Sequence, residues 1–262
     1  VPTPSADRLS FGGNTPCLAV SLSDQEHIIL DCGSGVRLLG NTFLNRPGNT
    51  ANRFHVFLSH YHFDHVEGLP LFPPLYDEKN SFTFYGSGFG ERTVREILQS
   101  LIAPPYFPVT IASAPSTIDY VSAHGPPKVI GDVTVASMPL NHPDGCLAYR
   151  LEHGERRIVY ATDHEHGNEA TDRGLIDFAT EADHLIYDAT YMHHEYEQLR
   201  RGWGHSTWYA AVQISIAAKV KNLVLFHHHP DHTDDELRQV LEVARREFPA
   251  IELAREGAEL AL

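Results

Sequence analysis

A chain of 262 residues with 42% hydrophobic and 21% charged residues has the composition of a soluble globular protein. Its formal charge of −14, with no Lys/Arg cluster larger than Arg156-Arg157, Arg200-Arg201 or Arg245-Arg246, excludes a broad basic face, so a long RNA or DNA is not expected as a partner. No run of about 18 apolar residues predicts a membrane-spanning helix, and the first seven residues, Val1 to Asp7, lack a basic-then-apolar leader. Cys17, Cys32 and Cys146 are odd in number and far apart, which predicts buried thiols in a reducing, cytoplasmic setting rather than a disulfide framework.

In chain order, Ser10 to Pro16 is a glycine turn before a predicted strand, Cys17 to Ser23. A polar turn leads to a second strand, His27 to Gly33, and the two read as a hairpin. Asp31 at its end is either an acceptor behind a ligand histidine or a cap for the following turn. The apolar run Phe54 to Leu58 predicts a third strand and passes directly into Ser59-His60-Tyr61-His62-Phe63-Asp64-His65. On an extended backbone His60 and His62 point to one side, while the neighbours Asp64 and His65 point apart. Gly68-Leu69-Pro70 breaks the segment. A strand over Ser81 to Gly86 and a helix over Glu91 to Ile102 follow, and Pro104 to Val109 is a stiff aromatic loop expected to wall a pocket.

The middle of the chain is β-rich, with strands predicted over 117–122, 128–137, 147–152 and 157–162. A helix is expected from Glu169 to Ala182, a strand from His184 to Asp188, and a helix from Ser206 to Val220. The buried strand Leu223 to Phe226 then runs into His227-His228-His229, and Thr233 caps a last helix whose first turn is acidic. No repeat or linker interrupts the chain, so residues 1–262 read as one domain of mixed β and α layers.

Four strand ends deliver ligand-type side chains: His60 and His62, His142, Asp163, and His227. Imidazole and carboxylate together suit zinc, iron or manganese, and two nearby cations suit phosphoryl or acyl hydrolysis. Among the three consecutive histidines His227 is preferred because it ends its strand. His164, His166, His193 and His194 are expected at a pocket rim or on the surface.

The motif His-x-His-x-Asp-His from His60 to His65 resembles the signature of the metallo-β-lactamase-fold hydrolases. The later order His142, Asp163, His227 is similar to their ligand order. The resemblance covers most of the chain and points to the phosphodiesterase branch that includes ribonuclease Z. It implies an α/β fold, a four-layer αββα sandwich. It also implies two divalent metal ions, zinc first and manganese or iron as alternatives. His60, His62 and His142 would hold one, Asp64, His65 and His227 the other, with Asp163 bridging them and Asp64 also in the catalytic set. Ala182 to Tyr191 and Gly204-His205-Ser206-Thr207 are similar to two further segments of that branch. By that likeness His205 is the general acid or oxyanion stabiliser and Asp188 orients it. A histidine opening a helix is also a reasonable oxyanion donor on physical grounds.

Two departures matter. The chain lacks the long Gly/Pro- and Lys-rich insertion with which ribonuclease Z grips tRNA, and Asp188 stands where that enzyme usually has Glu. The expected activity is therefore hydrolysis of a small phosphodiester, cyclic ones included, by attack of a metal-bound hydroxide, with a homodimer left open. Hydrolysis of a carboxylic ester, lactone or thioester is one rival, and His205, which it does not need, discriminates. A non-hydrolytic sensing or redox domain is another; redox members commonly replace a motif histidine with Glu, whereas His62 stands here.

Overall fold

Strands and helices alternate along the computed structural model, which describes residues 2–44 and 50–260. The chain divides into two compact units, Val1–Pro2 with Asn14–Gly125 and Thr3–Gly13 with Pro126–Leu262. Each has its own sheet, helices and apolar core, which is the mixed α/β class expected.

In the first unit the strands are β1 (Leu18–Ser21), β2 (Glu26–Leu30), β3 (Arg53–Phe57), β4 (Ser81–Gly86) and β5 (Thr117–Ser122). They form one sheet in that order, with β1 antiparallel to β2 and the remaining pairs parallel. Helices are α1 (Gly35–Leu44), the single turn α2 (Phe63–Val66) and α3 (Val94–Leu101). Parallel strands need cover on both faces, and the last four residues of β2 are buried. Aromatic rings dominate this core. Phe54 stacks on Phe82 at 4.8 Å between centroids and meets Phe43 of α1 edge-on at 5.0 Å. Helix α3 starts later than predicted because Thr93 and Glu96 form a reciprocal capping box. The aromatic residues of the loop from Pro104 to Val109 part ways. Phe107 packs on this unit's core and Tyr106 is 84% exposed.

The second unit carries β6 (Lys128–Ile130), β7 (Val133–Leu140), β8 (Cys146–His153), β9 (Arg156–Ala161), β10 (His184–Asp188), β11 (Asn222–Phe226) and β12 (Ile251–Leu253). They follow one another across the sheet. The strands from β6 to β9 form an antiparallel meander, and those from β9 to β12 run parallel. Every residue of β10 is buried, as its apolar run between two parallel neighbours requires. Helices are α4 (Glu169–Phe178), the turn α5 (His193–Glu195), α6 (Trp208–Ala217) and α7 (Asp234–Glu247), with a π-helical turn over Tyr196–Arg200. The single strand predicted over 128–137 is two, because Gly131 turns at φ +54°. The short strand β12 and the turns between β10 and α6 have no sequence periodicity long enough to predict them.

Helix α7 is capped as its sequence implies. The Thr233 hydroxyl accepts from the Glu236 N–H, and the Glu236 carboxylate accepts from the Thr233 N–H. Replacing Thr233 with Ala should lower unfolding free energy by about 1 kcal/mol in urea titrations, while Thr233→Ser should lose far less. Equal stability of the Ala variant and the parent would remove the cap from the helix's energetics.

Candidate metal centre

In the first unit, parallel pairing sets Leu30 opposite Phe57, so the residues leaving β2 and β3 are neighbours. Asp31, the first residue past β2, takes a left-handed φ of +60°. Its Oδ1 accepts the Ser59 backbone N–H at 2.7 Å, and its Oδ2 accepts the Ser59 hydroxyl at 2.7 Å and His65 Nδ1 at 2.8 Å. With its proton directed at Asp31, the Ser59 hydroxyl is left to accept from His60 Nδ1, 3.0 Å away. Both imidazoles thus carry their proton on Nδ1 and present the lone pair of Nε2, the arrangement that orients a metal-binding histidine.

The His60 ring lies 4.5 Å from that of His62 and 4.3 Å from that of His65, so the spacing that places His60 and His62 together holds in the fold. Asp64 and His65 do not point apart. Asp64 Oδ2 is 3.7 Å from His65 Nε2. Both sit in α2, where neighbouring side chains diverge by about 100° rather than the 180° of a strand.

In the second unit, β9, β10 and β11 are parallel, with Ala161 opposite Tyr187 and Asp188 opposite Phe226. Asp163, Asp188 and His227 therefore emerge at the carboxyl edge of one sheet, where side chains of different strands converge. Asp163 and His227 have left-handed φ angles of +50° and +58°. Such a conformation costs a non-glycine residue about 1–3 kcal/mol and clusters at functional sites.

The buried Asp163 carboxylate faces two ways. Its Oδ2 is 3.7 Å from His142 Nε2, and its Oδ1 is 3.4 Å from His227 Nε2. Behind those imidazoles the same device recurs. His142 Nδ1 donates to the Gly204 carbonyl at 2.7 Å. The Thr190 hydroxyl donates to the His227 carbonyl at 2.7 Å and accepts from His227 Nδ1 at 3.0 Å.

Asp163, Asp188, His205 and His227 each offer one donor atom, all within 4.8 Å of one another. Asp188 is already committed. Its Oδ1 accepts the Thr190 and Ser206 N–H groups at 2.9 and 3.1 Å, and its Oδ2 accepts His205 Nδ1 at 2.8 Å. Burial alone would raise the Asp188 pKa, but the charge and hydrogen bond of His205 hold it below the ordinary carboxylate value. The Asp188 carboxylate thus meets the His205 ring at Nδ1 and leaves its Nε2 uncommitted to Asp188. Histidine Nε2 atoms with anchored Nδ1–H groups, beside carboxylates, form a donor set that fits a divalent cation of the zinc, manganese or iron type.

Other histidines are sorted by the fold. His228 turns its ring edge to Phe11 at 6.5 Å, and burial pushes its pKa down to about 4. His229 faces Tyr191. His164, expected at a rim or on the surface, is fully buried. Its Nε2 lies 2.9 Å from Asp172 Oδ1 and its Nδ1 accepts the Asn141 N–H. His166 is part-buried and binds the Ser206 hydroxyl at 2.7 Å. His193 and His194 are exposed, as expected.

Ser59, Thr190 and Glu165 are contributors that sequence reasoning missed. Ser59 and Thr190 adjoin ligand-type motifs, but nothing in the sequence marks Glu165 as a clamp. Its Oε1 accepts the Gly202 N–H at 2.6 Å and the Tyr196 hydroxyl at 3.1 Å, and its Oε2 accepts the Gly204 N–H at 2.8 Å. Burial and the adjacent Glu165 carboxylate push the Tyr196 pKa up to about 12, so the hydroxyl keeps its proton for this bond. The clamped backbone presents the carbonyl that orients His142 and leads directly into His205.

Gly202 and Gly204 share a left-handed backbone, φ +84° and +85°, but not the same surroundings. A Cβ on Gly204 would lie 2.2 Å from His142 Nδ1, whereas a Cβ on Gly202 would meet nothing within 4 Å. Gly204→Ala should therefore lower metal content per chain, measured by elemental analysis, with the far-ultraviolet circular dichroism retained. Gly202→Ala carries the same backbone strain and should keep its metal. Equal metal loss in both would assign the effect to strain rather than to His142.

Residues 26–228 match the family described as the β-lactamase superfamily domain. Ribonuclease Z of Brevibacillus brevis is 25% identical over 276 aligned positions, covering 86% of this chain and 84% of the relative. The probable metallo-hydrolase YhfI of Bacillus subtilis is 27% identical over 212 positions, covering 81% and 79%. The crystal structure of the metallo-β-lactamase-fold protein YhfI from Bacillus subtilis is similar with a TM-score of 0.67 at 22% identity, over 97% of this chain and 93% of that one. That of the short form of human tRNase Z also gives 0.67, at 16% identity over 99% and 96%. The family match begins in β2 and ends just past His227, spanning every ligand-type residue named above. The chain belongs to the β-lactamase superfamily, as a metal-dependent hydrolase of the metallo-β-lactamase fold.

Proposed function

We propose that this chain is a phosphodiesterase for a small phosphodiester, cyclic ones included, that works with two divalent cations, zinc first and manganese or iron as alternatives. In this reading residues 1–262 act as one hydrolase domain. His60, His62 and His142 hold one cation, Asp64, His65 and His227 hold the other, and Asp163 serves both. The observation that carries the reading is the two-way Asp163 carboxylate, with one oxygen toward His142 Nε2 and the other toward His227 Nε2. A carboxylate placed so between two imidazoles suits a bridge. When bound, the cations supply an activated water and neutralise charge on the phosphate oxygens.

The chain's own residues do the rest. Asp188 holds the His205 ring by Nδ1, and in this reading His205 is the group that assists the leaving oxygen. The charge of −14 and the sparse arginine pairs favour a small substrate over a long RNA such as a ribonuclease Z takes. The three cysteines are thiols rather than disulfides, which supports a reducing, cytoplasmic setting.

Removing the bridge should release a cation. Asp163→Ala is expected to bind fewer metal ions per chain and to lose turnover by orders of magnitude while keeping its fold. Full activity with unchanged metal content would refute the bridge. His205→Ala should keep its metals and melting temperature and lower phosphodiester turnover by about 10²–10³. The loss should shrink for esters with a p-nitrophenolate leaving group, which needs little protonation. If lactones or thioesters are cleaved instead, and this substitution leaves phosphodiester rates unchanged, the carboxyl-ester reading replaces this one.

A further inference from the structure

The segment that precedes His205 carries two side chains that the chemistry above does not use. Trp203 is 56% exposed, yet its backbone is held on both sides, because Glu165 accepts the N–H of Gly202 and of Gly204. A scattered exposed apolar side chain needs no explanation. An indole held out on a backbone pinned at both flanks is a preformed surface. Arg200 ends the π-helical turn, an irregularity that recurs at functional sites. Its guanidinium carbon sits 4.5 Å from the centroid of the Trp203 ring and 6.0 Å from that of Tyr191.

The charge on Arg200 is the second observation. The chain has 34 acidic and 20 basic residues. The adjacent Arg201 pairs with Glu197. Among the described residues no carboxylate lies within ion-pair distance of Arg200. A guanidinium stacked on rings keeps its in-plane N–H groups for an anion, and its fork matches two phosphate oxygens. The stack also leads back to the reacting groups. Tyr191, under Arg200, meets the His205 ring edge-on at 5.8 Å, and His205 is the residue that Asp188 orients.

We infer that Arg200 and Trp203 form a subsite for the nucleoside arm of the substrate, making this chain selective for nucleoside phosphodiesters. The indole stacks on the base, and the guanidinium holds an anionic phosphate oxygen. The inference rests on the phosphodiesterase reading and narrows its substrate class. A π-face accepts any base, so selectivity is for the presence of a base rather than its identity. A lone phosphate would satisfy only Arg200, and an uncharged aryl group only Trp203.

Two esters that differ only in this arm test it: thymidine 5′-(p-nitrophenyl phosphate) and ethyl p-nitrophenyl phosphate. The metal-loaded protein should prefer the thymidine ester in kcat/KM by about 5- to 150-fold, the range expected for one stacked base. Trp203→Ala should remove most of that preference through KM, and Trp203→Phe should keep much of it. Arg200→Ala should weaken the nucleotide ester, and Arg200→Lys, which keeps charge but not the planar fork, should restore it only in part. Calorimetric titration with AMP, adenosine and ribose 5-phosphate provides a readout without turnover. AMP should bind tightest, and its advantage over ribose 5-phosphate should disappear in Trp203→Ala. Hydrolysis of neither ester by the parent would sink the phosphodiesterase reading itself. Hydrolysis of both at equal kcat/KM, or a preference untouched by the Trp203 and Arg200 substitutions, would overturn the subsite alone.

Discussion

An imidazole ligates a cation through one nitrogen, and the structure depends on the other being tied down. His60, His65, His142 and His227 all direct Nδ1 at an oxygen of the protein, respectively the Ser59 hydroxyl, the Asp31 carboxylate, the Gly204 carbonyl and the Thr190 hydroxyl. In two cases the accepting hydroxyl is itself oriented, because its proton is already directed at Asp31 or at the His227 carbonyl. The tautomer is then set by the acceptor rather than by the cation, and the Nε2 lone pair is positioned before any metal arrives. This preorganisation explains why buried serine, threonine and aspartate side chains stand behind the motif residues.

The same positions carry backbone strain. Asp31, Asp163 and His227 follow the strands β2, β9 and β11 and adopt left-handed conformations with side chains that are not glycine. Each would relax if the chain turned otherwise. They persist because the strands before them are locked by parallel pairing: β2 and β9 end in the buried Leu30 and Ala161, and β11 buries Leu223, Val224 and Leu225, none of which can shift register without exposure. A parallel sheet thus does two things at once. It buries its strands, and it turns their carboxyl ends into a rigid frame on which strained polar residues can be held.

The approach to His205 is organised differently, by hydrogen bonds from a loop instead of by a sheet. One carboxylate, Glu165, gathers the Gly202 and Gly204 amides and the Tyr196 hydroxyl. The loop's own side chains, Arg200 and Trp203, are therefore presented without the sheet's burial. In a chain this acidic, a guanidinium stacked on rings and away from carboxylates adds local positive potential where an anion would arrive.

Much of this was legible in the sequence. Strands over Ser81–Gly86, Thr117–Ser122 and His184–Asp188 have the predicted bounds, since short apolar runs between turn residues specify a strand locally. The ring pair His60 and His62, the cap at Thr233, and the exits of Asp163 and His227 from strand ends follow from spacings of a few residues. The family was legible for the same reason, because its motif is contiguous. What sequence alone misread lay beyond that range. It took Asp64 and His65 as divergent because it did not see the turn α2, and it put His164 near the surface because Asp172 and Asn141 were not yet beside it. It could not assign Glu165 at all. That carboxylate meets Gly204 across 39 positions, and His142 meets the Gly204 carbonyl across 62. Local sequence determines backbone state and side-chain direction over one or two turns. Which distant donor meets which acceptor is decided only when strand order and register bring them together.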